Sequence, residues 1–301
     1  MKPIIYCVLL LSFLFATEPI TPIPIKMDID KKKASLGKEL FFDTILSKDN
    51  SISCHSCHLL DQGGDDNLQF SVGINGQMGN INAPTVLNAV FNFVQFWDGR
   101  AKNLQEQALG PITNHIEMGH NFNELIPKME KTHYKNKFDE LYQDGITPQN
   151  ITDAIAEFEK TLTTPNSPFD RYLMGDNNAI TKDQKEGYEL FKNQGCIACH
   201  HGINVGGNLY AKFGVISQLK SDSKGRFEVT QNEMDKYYFK VPTLRNIELT
   251  APYLHDGRID ELDSVVKFMA HYQLGKSLSE DEVYKIVAFL KSLTGKTNNY
   301  E

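Results

Sequence analysis

The sequence predicts a mostly α-helical chain built as two tandem domains, and three doubled features carry that prediction. The run Cys54-His55-Ser56-Cys57-His58 has a counterpart in Cys196-Ile197-Ala198-Cys199-His200. Gly37-Lys38-Glu39-Leu40-Phe41 stands ahead of the first run, and Gly187-Tyr188-Glu189-Leu190-Phe191 ahead of the second. Each half then closes on a segment with helical apolar spacing. In 152–162 the stripe is Ala154, Ile155, Phe158 and Leu162; in 280–293 it is Val283, Ile286, Val287, Leu290 and Leu293. Ser279 and Glu282 make a capping-box pattern before the second helix, and Gly295 is expected to stop it. These features divide the chain into a leader at 1–17, a first domain at 18–165 and a second at 166–301. Thr164-Pro165-Asn166-Ser167-Pro168 reads as the linker. The Gly-, Asn- and Pro-rich stretches 73–84 and 201–207 read as loops.

The leader comes first along the chain. Lys2 precedes an apolar run over 4–16 broken only by Ser12, and Thr17, Glu18 and Pro19 follow. One positive charge, a short apolar core and a small residue at its end describe a secretory signal peptide. The run is short for a membrane span, and an uncleaved anchor is the alternative. Cys7 lies inside the apolar core rather than at its end, which argues against a lipoprotein site. Export to the periplasm is therefore the expected location. Hydrophobic residues at 41% and charged residues at 23% suit a globular protein. A formal charge of -7 argues against a nucleic-acid partner.

Of five cysteines, Cys7 belongs to the leader and the other four make up the two C-x-x-C-H runs. This is the attachment motif of a c-type heme. Two thiols at this spacing add to the two vinyl groups on one side of the porphyrin, and the following histidine lies under the iron. A redox disulfide does not explain a histidine after both copies. A zinc site would need the two distant pairs to meet. Two covalently bound c-type hemes is the reading, held by Cys54, Cys57 and His58 and by Cys196, Cys199 and His200. A helix before each motif and an amphipathic helix after it is how a small cytochrome c wraps its heme. Each half is therefore read as cytochrome-c-like.

A heme that only carries electrons has both axial positions filled, whereas one that handles a small oxidant needs an openable position. Met269, on a helical stretch, is the sixth-ligand candidate in the second half, with His271 and His255 as rivals. On an apolar helix face a methionine is more often core; a heme domain short of a ligand reverses that expectation.

Several further stretches resemble the bacterial di-heme cytochrome c peroxidases. They are Asn82-Ala83-Pro84-Thr85-Val86-Leu87-Asn88, Gln95-Phe96-Trp97-Asp98-Gly99-Arg100-Ala101 and Gln107-Ala108-Leu109-Gly110-Pro111. Glu117-Met118-Gly119 and Thr250-Ala251-Pro252-Tyr253-Leu254-His255-Asp256-Gly257 complete the set. The likeness spans about Leu36 to Gly295. It implies that the first heme, on His58, is the peroxide site, with Glu117 as acid/base and Gln107 lining the same pocket. Trp97 would lie between the hemes. The second heme would transfer electrons with His200 and Met269 as ligands. A calcium ion is implied between the domains, held by the Asn82 side chain and the Thr250 and Pro252 carbonyls. The implied partners are hydrogen peroxide and a small c-type cytochrome or similar donor, and a homodimer is compatible with the family. Read without the resemblance, Glu117 is a solvated loop glutamate and Trp97 a core aromatic.

One position departs from the pattern. Ile74 stands where many members carry a histidine that closes the peroxide heme at rest, so the first heme is expected to be open. His115 and His120, on either side of Glu117, are the substitute ligands to consider. Two other functions compete with the peroxidase. One is a non-catalytic di-heme electron carrier. The other is a MauG-like di-heme enzyme that oxidises a partner protein; such enzymes typically carry tyrosine where this chain has Met269.

Overall fold

The computed structural model describes residues 18–217, 219 and 221–296; the expected leader 1–17, with Cys7, lies outside them. The first half contains α1 (Lys31–Phe42), α2 (Leu104–Thr113), α3 (Phe122–Met129), α4 (Tyr134–Leu141) and α5 (Pro148–Glu159). Next come α6 (Pro168–Leu173), α7 (Lys182–Gln194), α8 (Phe227–Thr230), α9 (Leu262–Leu274) and α10 (Glu280–Lys291). Among the described residues the only sheet is the antiparallel pair β1 (Tyr210–Lys212) and β2 (Tyr238–Lys240). No described helix is long and apolar enough to cross a membrane.

Each half is organised by a helix pair that crosses at a glycine. A Cβ on Gly37 of α1 would sit 1.8 Å from the Ala154 carbonyl oxygen of α5, and one on Gly187 of α7 would sit 1.9 Å from that of Lys285 on α10. Only hydrogen fits at either crossing, which explains why the doubled run begins with glycine. Around the first crossing, Leu40, Phe41, Phe138 and Ile151 are completely buried. Around the second, Phe169, Tyr188, Phe191 and Phe289 pack with ring centroids 4.7–5.1 Å apart. Helix ends follow local chemistry. The Asp30 carboxylate accepts from the Lys32 and Lys33 amides, and capping boxes open α7 at Thr181 and α10 at Ser279.

Three expectations shift. The closing helix of the first half begins earlier, at Pro148 behind a Thr147 cap, and ends at Glu159, short of Leu162. Gly295 does not stop α10, which ends at Lys291 with Ser292 as its cap; the Gly295 amide instead donates to Asn246 Oδ1 at 3.0 Å. The 164–168 stretch is no free linker. Thr164 is 1% exposed, and its hydroxyl accepts from the side-chain amides of both Asn88 (2.8 Å) and Asn246 (3.0 Å), one from each half.

Those two asparagines belong to a deeper repeat. Pro84-Thr85-Val86-Leu87-Asn88 recurs as Pro242-Thr243-Leu244-Arg245-Asn246, and Phe96-Trp97-Asp98-Gly99-Arg100 as Leu254-His255-Asp256-Gly257-Arg258. Both pairs share one sequence offset, and the backbone repeats with them. Asn88 and Asn246 both have φ 60°, Phe96 and Leu254 have φ 65° and 75°, and isolated bridges pair Gln95 with Ala101 and Tyr253 with Ile259. The halves meet through equivalent atoms. The Asn82 amide donates to the His255 carbonyl at 2.9 Å, and at the same offset the Lys240 amide donates to the Trp97 carbonyl at 2.8 Å. The Trp97 and His255 rings meet edge to face at 6.1 Å. The contact is thus close to a two-fold arrangement within one chain.

The chain also crosses between halves at its start. Residues 18–23, counted with the first domain by sequence, lie on the second. Ile20 is 1% exposed in the core with Phe169 and Phe289, and the Pro19 carbonyl accepts from the Gly202 amide at 2.7 Å. Arg245, 1% exposed, fixes this crossing by donating to the Thr21 carbonyl at 3.0 Å while pairing with Asp170 at 2.7 Å.

Candidate heme centres

Each C-x-x-C-H run forms a single tight turn, Cys54–Ser56 and Cys196–Ala198, and the following histidine amide folds back onto the first cysteine's carbonyl. In both, the ring nitrogen nearer the backbone is committed. His58 Nδ1 donates to the Gly64 carbonyl at 3.1 Å and His200 Nδ1 to that of Val205 at 3.3 Å. This fixes the tautomer and leaves Nε2 with its lone pair, the arrangement a metal-binding imidazole needs. Burial lowers the pKa of both imidazoles, His200 to about 4, so both stay neutral. The thiols are unpaired, and burial pushes Cys57 and Cys196 up to about 11. Each pair brings two thiols and one imidazole from a single turn, one ligand short of the four that a structural zinc site takes. Among the described residues no three His, Cys, Asp or Glu side chains gather to hold a metal ion.

In the second half the turn opens into a cavity whose volume, counted out to its mouth, is about 1730 Å³. Cys196, Cys199 and His200 line it, as do Met269 from α9, Trp97 and Lys240. This donor set fits a covalently held heme: thiols, a neutral imidazole and a thioether facing one largely apolar space. The rivals of Met269 are placed differently. His271 is exposed against Tyr272. His255 faces the cavity, but its Nε2 is 2.7 Å from Ser221 Oγ and its ring stacks on Phe239 at 4.2 Å.

In the first half, α2 carries Gln107 and ends at Thr113, and its capping residue Asn114 organises the turn that follows. Asn114 Nδ2 donates to Glu117 Oε1 at 2.6 Å, and the Asn114 carbonyl accepts from the Glu117 amide at 3.0 Å. The carboxyl is thereby held through one oxygen, and Oε2 has no hydrogen-bond partner among the described residues. Burial raises the Glu117 pKa, and the Asn114 bond and the Arg100 charge offset this in part. The Glu117 charge in turn acts weakly on both Cys54 and Cys57, so it lies within electrostatic range of the first motif. Ile74 is 4% exposed, and its amide donates to the Glu117 carbonyl at 2.8 Å. Of the substitute histidines, His115 is exposed, and buried His120 accepts at Nδ1 from the Asn121 amide at 2.9 Å.

Asn82, Thr250 and Pro252 come together on the wall of the second cavity. Asn82 Nδ2 donates to the Leu68 carbonyl at 3.0 Å. Trp97 sits beside them, its indole N–H donating to the Asn82 carbonyl at 2.9 Å. Sequence reasoning missed three buried titratable groups near these sites: Asp65, Glu159 and Lys240. Only for Lys240 was there a signal, its place at the repeat position equivalent to Asn82.

A family model described as di-haem cytochrome c peroxidase matches residues 31–178, and one described as cytochrome c matches 184–294. The chain is 50% identical to cytochrome c551 peroxidase of Nitrosomonas europaea, covering 95% of this chain and 87% of that protein. It is 47% identical to cytochrome c551 peroxidase of Pseudomonas aeruginosa, covering 91% and 82%. Against cytochrome c peroxidase Ccp of Escherichia coli the identity is 50% over 94% of this chain, which spans 62% of that protein's length. Among solved structures, a MauG-like protein associated with microbial copper homeostasis superposes with a TM-score of 0.79 at 25% identity, covering 95% of each chain.

Proposed function

The chain belongs to the bacterial di-heme cytochrome c peroxidase family, and we propose that it reduces hydrogen peroxide to water with electrons from a small c-type cytochrome. The observation that carries this reading is Glu117, a half-buried carboxyl of raised pKa held through one oxygen by Asn114, near the first heme motif. When bound, the two hemes supply an iron for peroxide and a store for the two electrons the reduction needs. The protein supplies the proton movement. Glu117 Oε2 would carry a proton from one peroxide oxygen to the other as the O–O bond breaks, and with two electrons from the hemes and two protons from solvent both oxygens end as water; Asn114 keeps the carboxyl aimed throughout. Gln107 on α2 lines the same pocket, and Trp97 lies between the halves. His58 serves the first iron, and His200 and Met269 the second. Asn82 Oδ1 and the Thr250 and Pro252 carbonyls suit a calcium ion. The protein works in the periplasm after removal of residues 1–17. Identity of 47–50% to three named cytochrome c peroxidases, against 32–33% to the methylamine utilization proteins MauG, supports peroxide over a protein substrate.

The test is peroxide-dependent oxidation of a reduced small cytochrome c by fully oxidised holoprotein, beside Glu117→Gln. General acid–base help of this kind is worth about 10²–10⁴-fold, so the variant should lose turnover by that factor. Equal rates would remove Glu117 from the chemistry. With Ile74 in place of a ligating histidine the first site is open at rest, so the oxidised enzyme should turn over without prior reduction. Turnover only after partial reduction would mean that another group closes it.

A further inference from the structure

Lys240 is the last residue of β2 and is 5% exposed, on the wall of the second heme cavity. Its ammonium makes no hydrogen bond or ion pair with any described residue. Burial alone pushes its pKa down to about 8, with no neighbouring charge acting on it. A buried cation without a partner is among the most unfavourable groups a protein can hold. Its backbone is nonetheless fixed, because the Lys240 amide donates to the Trp97 carbonyl at 2.8 Å. The side chain faces a cavity whose occupant is a c-type heme, and that group brings its own anions. Its two propionate carboxylates sit on the side of the ring away from the thioether bonds. Asp65 is the one acidic side chain on the same wall, and burial raises it to about 7 without its acting on Lys240.

We propose that the Lys240 ammonium holds a propionate carboxylate of the second heme and so raises that heme's reduction potential. The reasoning is electrostatic. Ferric heme carries one more positive charge than ferrous, so an uncompensated carboxylate at its edge favours the ferric state. A paired ammonium cancels that preference, and inside a low-dielectric cavity the effect is larger than in water. Lys240 is thus a positioning residue: it acts on the electron-transfer heme and touches no peroxide.

The inference rests on the second motif holding a heme, which heme content and the absorbance of the holoprotein measure separately. Potentiometric titration is run on the holoprotein and on Lys240→Met and Lys240→Arg, following each heme band. Lys240→Met should shift the second heme's midpoint downward and leave the first unmoved, while Lys240→Arg stays close to the unaltered protein. An unmoved second midpoint in Lys240→Met with both hemes present overturns the proposal. So does an upward shift of the same midpoint in Asp65→Asn as large as the downward one in Lys240→Met, which would make Asp65 the partner of the ammonium. If Lys240→Met loses its heme, Lys240→Arg decides: resonance Raman should show the propionate bending band of the second heme displaced by the new donor, and an unchanged band overturns the proposal. A midpoint of the unaltered protein that moves with added chloride would assign the ammonium to a free anion and overturn it too.

Discussion

Glu159 ends α5 with a carboxyl that is 5% exposed and whose Oε2 has no hydrogen-bond partner. Burial raises its pKa to about 8 from an ordinary 4.5. Below the unfolded value the group is protonated folded and unfolded alike, and it costs no ionisation energy. As pH rises from there toward 8, the unfolded chain ionises freely while the folded one resists, so stability falls across that window. Each pH unit within the window costs about 1.4 kcal/mol, so the accumulated loss reaches a few kcal/mol by pH 8. Glu159→Gln removes the ionisation. It should raise Tm clearly at pH 8 and little at pH 5, read by scanning calorimetry of the holoprotein. An equal change at both pH values would show that Glu159 is ionised and paired in the folded protein. Glu117 differs from it in one respect that matters for chemistry: Asn114 gives its charged form a partner, so its proton can leave and return. Each residue stands beside an apolar neighbour in the sequence, Glu117 between Ile116 and Met118 and Glu159 after Phe158. Which one is answered by a neighbour is a fact of three-dimensional packing.

At the scale of elements, Gly37 and Gly187 make the sharpest prediction. A methyl at either would press into a backbone carbonyl that cannot move aside without shifting its helix. Gly37→Ala and Gly187→Ala should each cost about 1–3 kcal/mol or more, the range for overpacking a closed contact, and lower Tm accordingly. Gly79→Ala, with nothing nearer than 3.8 Å, is the control that should leave Tm unchanged. The glycine-led runs were legible as a repeat, and so was the Ser279 capping box, because both are written in adjacent residues. Their purpose was not legible, since the carbonyl that excludes a side chain at Gly37 comes from Ala154, far along the chain. The same limit explains the 164–168 stretch. Its Thr, Pro, Asn and Ser read as a linker by composition, yet Asn88 and Asn246 bury it by reaching from both sides. The heme motifs were readable because covalent attachment is written in adjacent residues, whereas the place of Met269 on the wall of the second cavity is a matter of packing. The Pro-Thr-x-x-Asn and Asp-Gly-Arg repeats were present in the letters, but only the paired backbone angles show that they are one structure used twice.

The whole molecule is joined in a way that two tandem domains need not be. Asn82 and Lys240 tie the halves through equivalent bonds to His255 and Trp97. Asn67 adds donations to the carbonyls of Leu249 (2.9 Å) and Ala251 (3.1 Å). Residues 19–21 lie on the second core before the chain builds the first, and Arg245 holds that crossing through Thr21, the loop after the second motif through the Ile203 carbonyl, and α6 through Asp170. Multidomain proteins commonly unfold in steps. Here a step would expose Ile20 and Phe169 and break buried bonds in both halves at once, so the halves should unfold together. Thermal melts of the holoprotein followed at the two heme bands should give coincident midpoints. Arg245→Met leaves Asp170 charged, buried and unpaired, a change that typically costs about 3–5 kcal/mol. Because that loss falls on the second half and on the crossing segment, the second heme's band should then melt first, separating from the first. Two midpoints already apart in the unaltered protein would mean that the interface, although built from matched bonds, does not couple the halves. Electron transfer between the hemes would then have to tolerate their relative motion.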